Sequence, residues 1–504
     1  MFKVAAIFSD NMVLQRNKNI KIFGEGDCQS ITVMFNGIKV ETDVIGGKWT
    51  CILPAMEASD GLTLNVSDGI NTISFSNVSI GEVWLAGGQS NMELELRYAK
   101  DSNEYLSELN PNIPVRFYYT NKVKTVEQAI EAEKHSCWGV CDPEGSKAWS
   151  AVGFHFAKKL SSELGVTVGI IGCNWGGTSA SSWMSREYLS CDNETNSYLE
   201  EYADKTAGKT EQELISDYKD YEEYEKKFNE NMAKCYAEKP DSTWDEIIEK
   251  CGESNWPGPM APNNPYRPCG LYETMLKRVC PYTMKGFLYY QGESDDHKPN
   301  IYYKMLTKLI DCWRTDWEDY SMHFEIVQLP MFKYKHDEDF KHWCLIREAQ
   351  MKAFTTIKNT GIAVISDCGE LDNIHPIDKV PVGERLALQA LVGAYNKEYN
   401  AFGPIFKSVY FLGNIAELSF DYAEKGFIIN GENATGFEVA GSDKKFFDAD
   451  AVMVQDKIYL SSVSVSKPVY VRYDWRNYIE PSVFCSETKI PLAPFRTSMY
   501  DDFL

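Results

Sequence analysis

The chain predicts an α/β fold, a parallel central sheet flanked by helices, with β-rich segments at both ends. Three observations carry this. Between about residues 80 and 394, short apolar runs alternate with helical stretches, the pattern of a parallel sheet covered on both faces. Residues 1–78 and 403–504 instead show the two-residue alternation and Gly, Asp and Asn turns of antiparallel strands. Polar clusters follow the central strand runs, where ligands bind in such folds.

In chain order, residues 1–78 (IKIFG, SITVMFNG, LTLNVS, NTISFSN) read as a small β-sandwich or half of one. The expected catalytic domain, 79–402, carries the strand runs VWLA (83–86), VRFYY (115–119), VTVGIIG (166–172), FLYY (287–290), FEIVQL (324–329) and IAVIS (362–366). Helices are expected at AVGFHFAKKLSSEL, at IYYKMLTKLIDCW and over 383–395. Residues from about 187 to 270 interrupt the alternation with an acidic, helical, tyrosine-bearing stretch and a Pro-rich connector, WPGPMAPNNPYRPCG. They read as a solvated helical insertion, with a lid or a homodimer contact as lesser alternatives. β patterning returns in 403–504, and the two end segments are expected to pair into one accessory domain.

The formal charge of −22 disfavours nucleic acid and anionic membranes as partners. Plentiful aromatics, 29 Tyr and 12 Trp, suit carbohydrate contact. The fourteen cysteines form no C-x-x-C pair and no zinc-spaced Cys/His cluster. They read as reduced thiols, and no metal is expected. No apolar run reaches membrane-spanning length, and the opening stretch, broken by Ser9 and Asp10, does not read as a signal peptide. A cytoplasmic location is therefore expected.

Four clusters at strand ends could do chemistry. The first, GGQSNM (87–92), puts Ser90 at a glycine turn before a helix start. Unsatisfied N–H groups there suit a serine nucleophile and the oxyanion it creates. An N-cap alone would also explain Ser90, and Met92 stands where a G-x-S-x-G elbow has its second glycine. The second, CNWGGTSASSW (173–183), brings Gly176 and Gly177 with Trp175 and Trp183. The third, QGES (291–294), offers the Gln291 amide, with Glu293 as an internal hydrogen-bond partner. The fourth, DCGELDNIHPIDKVPVGER (367–385), holds Asp372 three residues before His375. A carboxylate there can take the Nδ1 proton and leave Nε2 free as a base.

With these clusters, the opening FSDNMVLQR (8–16), LIREAQ (345–350) and the closing PLAPFRT (491–497), the sequence resembles the sialate O-acetylesterase group of SGNH (GDSL-like) hydrolases. The resemblance covers nearly the whole chain. It implies a flavodoxin-like three-layer α/β domain with accessory β-sandwich or jelly-roll material. It also implies a serine esterase that uses no cofactor. Ser90 would be the nucleophile and His375 the general base, with Asp372 or a backbone carbonyl orienting the imidazole. The oxyanion hole would be the Ser90 N–H, the Gly177 N–H (Gly176 being the alternative) and the Gln291 side chain. Trp175, Trp183 and Glu293 are candidate substrate contacts. The substrate would be an acetylated carbohydrate, either O-acetyl sialic acid, with Arg186 or Lys379 as the cation for its carboxylate, or a xylan- or mannan-type oligosaccharide. A carbohydrate-binding protein with a degenerate hydrolase core is the reading from a different class.

Overall fold

The computed structural model describes residues 2–239, 242–334 and 342–498. The centre is one sheet running in the order Gly139–Val140, Val115–Tyr119, Val168–Asn174, Thr72–Gly88, Gly286–Tyr290, His323–Val327, Thr360–Ala363. Its ladders are parallel except at the short outer strand Gly139–Val140. The strands are buried along nearly their whole length, as continuous apolar runs require.

Helices cover both faces. Trp84 points to one side, its ring 5.2 Å from Phe156 of the helix Ala151–Leu164. Gly87, three residues on, faces the other side, where a Cβ would come within 2.8 Å of Trp313 in the helix Tyr302–Trp317. Val380–Gly393 packs on the first of these helices and His342–Thr356 on the second. The result is a three-layer α/β domain.

The strand Thr72–Gly88 crosses the boundary expected at residue 78. Its first half pairs antiparallel with Ser59–Ser67, and its second half is a central strand of the main sheet. Residues 2–88 thereby share one continuous core with the α/β layers. Strands from 405 to 496 form separate antiparallel sheets with a core of their own. Among the described residues none of them pairs with a strand of residues 2–78, so the expected joint sheet does not form. The N-terminal strands run on into the main sheet through Thr72–Gly88, and the C-terminal segment docks on the helix His342–Thr356 instead. There Arg496 chelates Glu348 at 2.8 Å on each oxygen, and buried Arg347 donates to the Arg476 carbonyl.

The insertion is helical, with helices Asn193–Thr206, Glu211–Glu238 and Trp244–Cys251. It is not merely a solvated hairpin. Leu214, Tyr218 and Tyr221 bury one face against Ala261, and the segment returns to the sheet's carboxyl end as a pocket wall.

Candidate active site

Ser90 opens a one-turn helix, Ser90–Glu93, directly after the central strand. Gly88 permits this sharp exit: its φ is +133°, and a Cβ there would lie 2.1 Å from the Tyr290 carbonyl of the neighbouring strand. His375 arrives from the loop after the last strand of the sheet, and its Nε2 lies 2.8 Å from Ser90 Oγ. The ring sits at the pocket mouth. Partial burial, and then the Lys379 charge, push the imidazole below its ordinary value, while Glu93 opposes the shift. A neutral Nε2 can thus accept the serine proton.

The two glycines separate in role. The Gly176 N–H donates to Glu93 Oε2, which removes it as an oxyanion donor. The Gly177 N–H and the Ser90 N–H have no acceptor among the described residues. Gly177 has φ +73°, and a Cβ on it would strike Trp256 at 2.5 Å.

Several expected site residues are elsewhere. Gln291 is fully buried, and its Nε2 donates to Asp295 Oδ2 at 2.6 Å and to the Thr178 carbonyl at 3.2 Å. Tyr302 donates to its Oε1. The amide is a clamp beneath the pocket and has no proton to offer an oxyanion. Asp295, which also accepts from Ser179, Ala180 N and Tyr198, is the hub that holds it there. Asp372 is exposed and makes no hydrogen bond to His375. The loop is closed instead by Glu370, whose carboxylate accepts from Asn373 Nδ2 and the Ile377 N–H, and this turns Asp372 outward. Trp183 is a core residue whose Nε1 donates to Thr178. Trp175 is half-buried against the core, outside the pocket lining. Arg186 is exposed and not among the pocket-lining residues, and Lys379 is buried behind Asn91. Glu293 does touch the pocket, but Asn91 Nδ2 donates to it at 2.6 Å.

The pocket has a volume of about 690 Å³. Beyond Ser90 and His375 its wall includes Tyr202, Trp256, Met260 and Tyr266 from the insertion, none of which the sequence reading singled out. Trp256 is 49% exposed, its ring edge-on to Tyr266 at 5.3 Å. Gln89 was also missed. Its Oε1 accepts the Ser294 N–H at 3.2 Å, it borders the pocket beside Ser90, and its amide N–H groups have no acceptor among the described residues. Its place in GGQSNM, next to the serine, was the available signal. Among the described residues no group of three or more His, Cys, Asp or Glu side chains could hold a metal ion.

A family model described as carbohydrate esterase, sialic acid-specific acetylesterase, matches residues 261–391. The sialate O-acetylesterase of Mus musculus is 24% identical over 98% of this chain and 94% of that protein. The Homo sapiens sialate O-acetylesterase is 23% identical over 84% of this chain and 77% of that protein. A solved carbohydrate acetylesterase from Xanthomonas citri superposes with a TM-score of 0.80 at 27% identity, over 99% of this chain and all of that one.

Proposed function

We propose that this chain, whose residues 261–391 match the sialic acid-specific acetylesterase model and which is similar over nearly its whole length to sialate O-acetylesterases, removes O-acetyl groups from carbohydrate through an acyl-serine at Ser90. The observation that carries the mechanism is the 2.8 Å contact between Ser90 Oγ and His375 Nε2. His375 accepts the serine proton as Oγ attacks the acetyl carbonyl. The oxyanion is met by the N–H groups of Ser90 and Gly177, with the Gln89 amide as third donor. The sugar oxygen leaves with the proton from His375. Water then attacks the acyl-serine with the same imidazole as base, releasing acetate.

The pocket favours an uncharged acetylated oligosaccharide. Its wall offers aromatic faces from Trp256, Tyr202 and Tyr266 for sugar rings. Its acidic side chains, Glu201, Glu293 and Asp296, give a sialic acid carboxylate nothing to pair with. Lys205, exposed on the insertion, is the lysine or arginine among the described lining residues, and it supports the second reading, O-acetyl sialic acid. Acetate release from O-acetyl sialic acid beside acetylated xylo- and manno-oligosaccharides decides between them. Faster turnover of the sialic acid would overturn the preference. A pure carbohydrate-binding protein would release acetate from none of them and would not react with a fluorophosphonate. The free, scattered cysteines support a cytoplasmic site of action on imported fragments.

A further inference from the structure

Asn91 follows the nucleophile, yet its side chain turns away from the pocket into a buried chain of polar groups. Its Nδ2 donates to Glu293 Oε1 at 2.6 Å and to the Ile374 carbonyl at 2.9 Å. Its Oδ1 accepts from Lys379 Nζ at 2.6 Å. Asn91, Glu293 and Lys379 are 0%, 3% and 1% exposed. Lys379 lies 5.2 Å over the Tyr290 ring, and Glu293 Oε2 has no partner among the described residues. Burying a lysine and a carboxylate this way costs stability that apolar side chains would not. The arrangement therefore calls for a function.

Its position supplies one. Ile374 immediately precedes His375, and Lys379 starts the helix that follows it. The same peptide unit is held at its other edge, where the His375 N–H donates to Asn373 Oδ1 at 3.0 Å. Among the described residues no carboxylate accepts from His375 Nδ1. We propose that Asn91, locked between Glu293 and Lys379, is a positioning residue that holds the backbone of His375 against Ser90, the orienting task that a triad carboxylate performs on the ring itself. The inference rests on the reading of Ser90 and His375 as nucleophile and base.

Two further features agree with it. Burial pushes the Glu293 carboxyl up to about 7 and the Lys379 ammonium down to about 7, as expected of two ionisable groups held out of water on either side of one amide. The charged groups that act on the His375 ring are Lys379, on its own segment, and Glu93, on the nucleophile helix. Loss of the Lys379 charge should therefore make the imidazole easier to protonate.

The test is steady-state hydrolysis of 4-nitrophenyl acetate, with the rate of fluorophosphonate labelling and the pH dependence of kcat/KM. For Asn91→Ala the expected result is a fall in kcat of ~100-fold with KM little changed, as for a base displaced by ~1 Å, and a parallel fall in labelling rate. For Lys379→Met the acid limb of the profile should move to higher pH. A folded Asn91→Ala protein with the parent's kcat, or a Lys379→Met profile whose acid limb does not move, overturns the proposal. Should Asn91→Ala not fold, the double variant Lys379→Met/Glu293→Gln, which neutralises both flanking groups, must show the kcat loss, and parent-like turnover overturns the proposal equally. A parent protein that hydrolyses the ester without labelling at Ser90 would instead contradict the proposed function, so the two failures are distinct.

Discussion

Ser90 Oγ and His375 Nε2 meet at 2.8 Å although 285 residues separate them along the chain. The parallel sheet makes this meeting: one residue leaves the central strand Thr72–Gly88, and the other leaves the loop after the outer strand Thr360–Ala363. Replacing either should remove turnover while leaving the fold intact, because neither side chain belongs to the core. Ser90→Ala and His375→Ala are expected to lose 4-nitrophenyl acetate hydrolysis with near-parent melting temperatures.

Asp372 gives a prediction of the opposite sign. Its carboxylate faces solvent and makes no bond to the imidazole, so Asp372→Asn should keep kcat/KM within about threefold of the parent, the scale of surface substitutions of ±0.5 kcal/mol. A loss of ~10⁴, the scale seen when a true triad carboxylate is removed, would restore it to the machinery.

The two glutamines differ in catalysis. Gln291→Ala strips a donor from buried Asp295 and should cost about 1–3 kcal/mol in denaturant unfolding. Gln89→Ala strips the acceptor from the Ser294 N–H and should cost a similar amount of stability, but of the two it alone should lower kcat by about 10²–10³, the loss expected of one oxyanion donor. A kcat loss of that size in Gln291→Ala and not in Gln89→Ala would return the oxyanion role to Gln291.

The tryptophans divide similarly. Trp256→Ala should raise KM for an acetylated oligosaccharide about two- to tenfold, matching the ~0.5–1.5 kcal/mol of an aromatic contact, and leave KM for 4-nitrophenyl acetate unchanged. Trp183→Ala should instead destabilise the fold by ~3–5 kcal/mol through the cavity it leaves.

The pH profile follows from the direction of the His375 shift. In the proposed mechanism the neutral imidazole is the active form, so activity should fall as the pH drops through its pKa. Burial and the Lys379 charge lower that pKa, and the acid limb of kcat/KM should lie below the ~6.5 of an unperturbed histidine. Measurement of kcat/KM across the acidic range checks this. A limb above that value would contradict the described environment.

What the sequence made legible follows the range of the forces involved. VRFYY at 115–119 and the helix 151–164 occur at the residues their local periodicity marks. The glycines before Ser90 announced a sharp strand exit, since only a residue without Cβ fits against the Tyr290 carbonyl. Roles decided by distant packing were not legible. Nothing local to YYQGES reveals that Tyr302, Thr178 and Asp295 engage both ends of the Gln291 amide. The D-x-x-H spacing did not disclose that Glu370 closes the loop and turns Asp372 outward. The acidic insertion looked like a solvated surface because its pocket-facing residues, Tyr202, Trp256 and Tyr266, are scattered among charged and proline-rich stretches and converge only after folding.

The most direct test of the central claim is peptide mapping of the protein after reaction with a fluorophosphonate, run beside its acetate release. The account predicts one adduct, on Ser90, forming in step with loss of esterase activity. An adduct on a different residue, or full inactivation with Ser90 unmodified, would contradict it.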